Sequence, residues 1–259
     1  MPEPEQAVAQ QAESPPTPTP SPRDSFFVYI VESPSAPDLY HRRSEGDLVA
    51  QALRLDGIPC VSRLVINYTA FVAALRIGLP AAMKEIPGRI PILHISAHGD
   101  DQGIQLSGGE VVIWAQLREL LVPINESLTG CLLLCMSACE GHSACRMAMR
   151  LEDDAPHPYF AMVANQGKPT WSDTLVSYMA FYHQLLGNAA GFTGAVEAMR
   201  AASSDRFWVV ETAEEAKRSF IEYVKSRAVP EQTQQNLEAV AREEKLPPDA
   251  KALEKPQTV

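Results

Sequence analysis

The sequence predicts an α/β domain in which helices cover both faces of a mostly parallel central sheet. Strand-like apolar runs alternate with segments of helical spacing across residues 25–229, and this alternation is typical of parallel sheets. Two of the runs, "RIPILHISAHG" and "GCLLLCMSACEG", are largely apolar, as strands buried on both faces are. The connections between elements are short, so we predict one domain rather than two.

β-Branched and aromatic residues between turn signals predict six main strands. These strands span 25–33, 58–66, 89–99, 130–141, 159–165 and 206–211. A small β-hairpin is predicted after the third strand, in "GIQLSGGEVVIW", because Ser107, Gly108 and Gly109 separate two short apolar runs.

Helices are predicted where apolar residues recur at intervals of three and four. The clearest case is "WSDTLVSYMAFYHQLLGN". Pro80 is expected to break or kink the helix predicted over 67–86, and Pro123 is expected to end the helix before it. The other predicted helices span 45–55, 143–151, 192–202 and 213–228.

The two ends of the chain differ in composition from the predicted domain. Residues 1–24 contain seven prolines with Ser, Thr, Glu and Gln between them. Such a segment cannot bury enough apolar surface to offset the entropy lost on ordering. We predict a disordered proline-rich tail at 1–24, a folded domain at 25–229 and a polar, partly helical tail at 230–259.

Charge and composition exclude several classes of protein. The formal net charge of -10 argues against nonspecific nucleic-acid binding, which needs basic surface. No stretch approaches the roughly 20 apolar residues of a membrane span, and no signal-peptide pattern is visible. The five cysteines are odd in number, which argues against a disulfide framework. We expect a cytoplasmic protein that binds neither membranes nor nucleic acid directly.

Two predicted strands end in reactive residues, at "HISAHG" and "LLLCMSACEG". Ligands of open parallel sheets bind at the carboxyl ends of strands, so the His98 imidazole and the Cys139 thiol are expected side by side. A thiolate there attacks a carbonyl, and the imidazole takes its proton and later protonates the leaving group. The helix predicted from about Ser143 would lower the pKa of Cys139. The backbone N–H of Gly99 would stabilise an oxyanion.

These two motifs, 41 positions apart from His98 to Cys139, resemble those of the caspase-like cysteine peptidases. The similarity is greatest to the CHAT-domain branch of the caspase, separase and gingipain clan. It extends over about residues 25–210 and includes the predicted hairpin and the helix "WSDTLVSYMAFYHQLL". The resemblance implies a caspase-like fold and a Cys139–His98 dyad that hydrolyses peptide bonds through a thioester. It also implies an oxyanion hole formed by the amides of Gly99 and Cys139, and no metal or other cofactor.

The same resemblance implies a protein substrate and a regulatory protein that controls cleavage. The setting would be a bacterial system of antiviral defence or signalling with a separate sensor. A catalytically silent CHAT-like domain that serves as a binding or adaptor module is the alternative.

The residue preferred at P1, the position before the cleaved bond, stays open. Ser137 stands two positions before the nucleophile, where metacaspases carry an acidic residue. Asp100, Asp101, Glu140 and Asp173 would make the cleft acidic and favour Lys or Arg at P1. A small or apolar P1 residue is equally compatible with the sequence. Structural roles are the alternatives for Ser137 and for Asp173, which would cap a helix.

The remaining cysteines and His94 are interpreted as core residues. The cysteines in this group are Cys60, Cys131, Cys135 and Cys145. Zinc is an alternative, with His94, His98, Cys139, His142 and Cys145 as its candidate ligands, because Cys and His are ligand types that zinc prefers. His94 and His98 could not bind one ion together, since four residues of strand separate them by roughly 13 Å.

Overall fold

The computed structural model describes residues 21–204 and 206–227. Within them, eight strands form the central sheet. The strands are β1 (Phe26–Ser33), β2 (Cys60–Leu64), β3 (Ile90–Gly99), β4 (Gly103–Gln105), β5 (Val111–Ile113), β6 (Leu133–Ser137), β7 (Ala161–Asn165) and β8 (Trp208–Thr212). The main order is β2-β1-β3-β6-β7-β8, and neighbouring strands are parallel except β7 and β8. The short β4 pairs antiparallel with β5 and with the end of β3.

Nine α-helices connect the strands of the described chain. They are α1 (Pro22–Ser25), α2 (Ala36–Tyr40), α3 (Glu45–Leu55), α4 (Tyr68–Ala73), α5 (Leu79–Glu85), α6 (Trp114–Ser127), α7 (Trp171–Tyr182), α8 (Gly191–Ala202) and α9 (Ala213–Arg227). A π-helical turn at Ala74–Gly78 joins α4 to α5, and another at His183–Gly187 extends α7. A 3-10 helix, Gly141–Met147, follows β6.

Two apolar cores lie on opposite faces of the sheet, because successive strand residues point to opposite sides. In β1, Tyr29 belongs to one core and Ile30 to the other. In β6, Met136 and Cys135 divide in the same way. Helices cover both cores, so the predicted α/β class with a mostly parallel, helix-flanked sheet is confirmed.

Two predicted boundaries are wrong. Strand β6 ends at Ser137, and the next regular element is the 3-10 helix rather than an α-helix from Ser143. Helix α6 continues past Pro123. Proline removes one helical hydrogen bond and crowds the carbonyl four residues before it, but buried leucines on the apolar face, such as Leu117 and Leu121, hold the helix against the core.

Helix α2 was not expected from the sequence. Its five residues are too few to show a helical period, but they begin with a capping pattern. The Ser35 hydroxyl accepts a hydrogen bond from the N–H of Asp38, and such caps favour helix initiation. The result is a buried carboxylate, Asp38, just beyond the carboxyl end of β1.

The predicted tails lie mostly outside the described residues, which exclude 1–20 and 228–259. At the end of the predicted N-terminal tail, Pro22–Ser25 forms a one-turn helix. Across the described part of the chain, every helix is too short or too polar to cross a membrane.

Candidate active site

His98 and Cys139 line the same cavity, of about 260 Å³, at the carboxyl ends of the central strands β3 and β6. Strands β3 and β6 are parallel neighbours in which Ser96 pairs with Ser137. His98 and Cys139 each lie two positions beyond that pair, so the register brings them to the same level. The other lining residues are Ala97, Ser137, Ala138, Pro169, Thr170, Trp171 and Thr174.

Gly99 lies close to the residues that follow β6. A Cβ atom at this position would lie 3.1 Å from Cβ of Ala138 and 3.2 Å from the carbonyl oxygen of Cys139. The N–H of Asp100 donates to the carbonyl of Gly103. Because alternate residues of a strand point their N–H groups to opposite sides, that of Gly99 points away from β4, towards β6. This direction suits an oxyanion donor beside Cys139.

The His98 ring is held by two neighbours. Its Nε2 atom lies 2.7 Å from Oδ2 of Asp38, and the Trp171 ring packs edge-on against it with centroids 5.2 Å apart. With Nε2 bonded to a carboxylate, Nδ1 is the nitrogen left for proton exchange with Cys139. The arrangement can therefore act as a base whose orientation is fixed by the protein.

Asp38 is held in its ionised form. Desolvation acts to raise the pKa of Asp38, but hydrogen bonds from Ser35 and His98, together with the charge of His98, lower it below its ordinary value. Arg43 adds a longer ion pair, with 3.8 Å between Nη1 and Oδ1 of Asp38. A carboxylate that stays ionised stabilises a protonated imidazole beside it.

The Cys139 thiol is not activated in this state. Burial raises its pKa, the nearby charge of Glu140 raises it too, and the charge of Lys168 only partly opposes them. The expectation of a lowered pKa from a following helix is therefore wrong. Glu140 adopts a left-handed conformation with φ of 52°, and the turn after it is 3-10 rather than α-helical.

Two of the candidate substrate-binding residues have structural partners. The Ser137 hydroxyl is fully buried and donates to Oε1 of Glu45, 3.0 Å away. Asp173 forms a capping box with Thr170 at the start of α7 and also accepts from Ser204. Ser137 thus forms the floor of the cavity, and Asp173 stabilises the helix that carries Trp171.

The other three acidic residues flank the site and also have partners. Asp100 accepts hydrogen bonds from the N–H groups of Gln102 and Gly103, in the turn between β3 and β4. It lines a second cavity beside His98, of about 290 Å³. Asp101 pairs with Arg146, and Glu140 pairs with Lys168 at 3.0 Å.

A buried polar layer lies beneath the cavity. His94 is fully buried, as expected for a core residue, and its Nδ1 atom lies 2.9 Å from the Tyr182 hydroxyl. Its Nε2 atom lies 3.6 Å from Oε2 of Glu45. Glu45, at the start of α3, therefore accepts a hydrogen bond from Ser137 and lies near His94 without a hydrogen bond to it, which places a carboxylate behind the cavity floor.

The free cysteines differ in exposure. Cys135 and Cys145 are buried and Cys60 is half-buried, whereas Cys131 is exposed. The core assignment of Cys131 is wrong because β6 begins only at Leu133.

The side chains best placed to bind a metal ion together do not include His98 or Cys139. Within the described residues, His142, Cys145 and Glu211 are the set whose ligand atoms lie within reach of one another. His94, His98 and Cys139, the other candidate zinc ligands from the sequence, are not members of this set.

Asp38, Glu45 and Lys168 are site residues that the sequence did not single out for chemistry. Asp38 carried one usable signal, the capping pattern "SAPD" directly after a buried strand. Neither the family models nor the curated proteins compared with this chain match it. The relationship to CHAT-domain peptidases therefore stays a prediction from its two motifs.

Proposed function

We propose that this protein is a cysteine endopeptidase in which Cys139 is the nucleophile and His98 the general base. The observation that supports it best is the shared cavity at the ends of β3 and β6, lined by both side chains, with Asp38 bonded to the far nitrogen of His98. A nucleophile, a base and a group that orients the base form the arrangement used in nucleophilic catalysis.

The proposed reaction proceeds in two steps. Nδ1 of His98 takes the proton from Sγ of Cys139 as the sulfur bonds to the carbonyl carbon of the substrate. The N–H groups of Gly99 and Cys139 stabilise the oxyanion of the tetrahedral intermediate. The carbon–nitrogen bond then breaks, His98 protonates the departing amine, and water hydrolyses the remaining thioester with His98 again as base.

The raised pKa of Cys139 suggests that the resting enzyme holds little thiolate. Substrate or a partner that changes the surroundings of the thiol would then increase activity. This fits control by a regulatory protein, which we propose together with a protein substrate, a cytoplasmic location and a role in bacterial defence or signalling. The chemistry requires no cofactor.

The P1 preference has two candidates. The cavity walls contributed by Ala97, Ala138 and Trp171 suit a small or apolar side chain. The Glu45 carboxylate behind Ser137 and the flanking acidic residues favour Lys or Arg. Both are outcomes of the experiment below.

A catalytically silent binding module is the second candidate function. The same raised pKa of Cys139 favours it, because the thiolate is the nucleophilic form and a raised pKa lowers its fraction. The two functions differ in whether Cys139 reacts in the presence of the natural partners.

The decisive experiment compares protein N-termini in lysates of the source cells after adding wild type, Cys139→Ala or Cys131→Ala. Cys131→Ala is the matched control, since it removes an exposed thiol elsewhere. We expect new termini with wild type and Cys131→Ala that Cys139→Ala does not produce, and their flanking residues give the P1 preference. Equal cleavage by all three proteins would contradict the proposal. No cleavage by any, with no labelling of Cys139 by a thiol-directed peptide inhibitor in the same lysate, would establish the silent module.

A further inference from the structure

A cluster of potential metal ligands lies outside the proposed active site and contains none of the proposed catalytic residues. His142, Cys145 and Glu211 place one ligand atom each within 4.8 Å of the other two. The His142 Nε2 and Glu211 Oε2 atoms are already 3.0 Å apart. We refer to these three residues as the His–Cys–Glu cluster.

The fold holds the cluster from two sides. His142 and Cys145 are three positions apart on the 3-10 helix Gly141–Met147, and residues at that spacing lie on one side of such a helix. Glu211 lies within β8, where it pairs with Met162 of β7. The ligands therefore come from regular elements rather than from free loops.

Burial of the cluster is graded. Cys145 is buried, whereas the side chains of His142 and Glu211 are 25% and 24% exposed. An ion would reach the cluster from the exposed side and meet a thiol shielded from solvent.

Tyr159 supplies an independent observation. Its side chain is fully buried, and its hydroxyl has no hydrogen-bond partner among the described residues. Tyr159 lies near enough to Cys145 and Glu211 to interact electrostatically with both, which places it beside the cluster. A buried hydroxyl without a partner is unfavourable, and a ligand bound at the cluster would supply the missing acceptor.

We propose that the His–Cys–Glu cluster binds a zinc ion. The ligands are Nε2 of His142, Sγ of Cys145 and a carboxylate oxygen of Glu211, and a water molecule completes four-coordination. Tyr159 donates its hydrogen bond to this water or to a metal-bound ligand atom. Neighbouring groups of this kind fix and tune zinc ligands in proteins.

The donor set favours zinc over the hard cations. Imidazole nitrogen, thiolate sulfur and carboxylate oxygen are all zinc ligands, and three protein ligands with one water is a common zinc arrangement. Calcium and magnesium prefer oxygen ligands throughout. On binding, the Cys145 thiol releases its proton to solvent, and the proton that His142 shares with Glu211 moves from Nε2 to Nδ1.

An ion here would not contact the proposed nucleophile, but its ligands would lie close to that residue in the sequence. His142 is three residues after Cys139, and Arg146, beside Cys145, contacts Asp101 in the turn after β3. The inference does not depend on peptidase activity, since it rests on the cluster and Tyr159 alone.

The test is a zinc titration of the chelator-treated full chain in competition with a chromophoric chelator. We expect one equivalent of zinc to bind wild type. Cys145→Ala and His142→Ala should weaken affinity by about 100-fold or more, and Tyr159→Phe by about 10-fold. Cys131→Ala and Cys139→Ala, which leave the cluster intact, should bind as wild type does.

Substitution by Co²⁺ adds a spectroscopic readout, because a thiolate bound to Co²⁺ gives a charge-transfer band. That band should be present in wild type and Cys139→Ala and absent in Cys145→Ala. Circular dichroism establishes that each variant is folded, and Glu211→Gln replaces His142→Ala if the latter is not. Absence of zinc binding by wild type, or binding that is lost with Cys139→Ala and kept with Cys145→Ala, would overturn the proposal.

Discussion

The Nε2 atom of His98 lies 2.7 Å from Oδ2 of Asp38, and the two residues are 60 positions apart in the sequence. A second histidine–aspartate pair, His183 with Asp56, lies at the surface with 3.2 Å between Nδ1 and Oδ2. The side chain of Asp38 is 8% exposed, against 34% for Asp56. Both are histidine–carboxylate pairs, but only the first lies at the proposed active site. The surface pair therefore serves as a control for substitutions of Asp38.

Asp38→Asn should impair the proposed catalysis while leaving substrate binding nearly intact. The amide removes the charge that stabilises the protonated form of His98, so kcat should fall by about 10- to 100-fold, with little change in KM. Steady-state rates over a range of substrate concentrations measure both parameters. Asp56→Asn should change neither, and an equal loss in both variants would contradict the role of Asp38.

Asp38 should also make stability depend on pH. Its pKa is lowered in the folded protein from an ordinary value of 3.8, so its ionised form stabilises the fold at pH values above 3.8. That contribution is lost as the pH falls through the lower, folded pKa. Urea unfolding between pH 6 and pH 3 should show Asp38→Asn as less stable than wild type, with a difference that shrinks towards acid. A difference that stays constant with pH would mean that packing rather than charge is responsible.

The reactivity of Cys139 should respond in opposite directions to its two charged neighbours. Lys168→Ala removes a charge that lowers the pKa of Cys139, so the alkylation midpoint should move to higher pH. Glu140→Gln removes a charge that raises it, so the midpoint should move lower. Mass spectrometry of the Cys139 peptide after iodoacetamide pulses gives the midpoints, and wild type should lie above the ordinary 9.0. Shifts of the same sign in both variants would refute this electrostatic account.

Gly99→Ala should disrupt the site through its backbone. The added Cβ would lie 3.1 Å from Cβ of Ala138 and 3.1 Å from the carbonyl oxygen of Gly103. Such crowding typically costs about 1–3 kcal/mol, and any shift that relieves it moves the Gly99 amide relative to Cys139. Chemical denaturation and peptidase assays should both show the loss. Gly187→Ala is the control, since its Cβ would meet nothing closer than 3.7 Å. Comparable losses of stability and activity in that variant would contradict a specific role for Gly99.

The order and character of the main elements followed from the sequence, because burial on both sheet faces makes strands such as β3 continuously apolar. The meeting of His98 and Cys139 also followed, since both motifs end neighbouring parallel strands. Asp38 could not be found in this way. Helix α2 is too short for periodicity, and the adjacency of β1 and β3 depends on sheet order, which no local pattern encodes.

The pKa of Cys139 was mispredicted for a related reason. The sign of its shift depends on how deeply the thiol is buried and on whether the next turn is α-helical or 3-10. The burial depends on residues distant in the sequence that line the same cavity, such as Trp171 and Thr174. Contact between distant elements likewise brings Glu211 to His142, 69 positions away, which spacing within the motif could not reveal.

The pairing of Ser96 with Ser137 would also make the proposed activity a measure of correct folding. A slip of β6 by one residue against β3 would exchange the faces of Cys135 and Met136, and two differently shaped cores would each receive the wrong side chain. The same slip would carry Cys139 out of line with His98. A chain trapped in that state would retain much of its secondary structure and still be inert, so catalysis would distinguish the native pairing from its nearest competitor where circular dichroism could not.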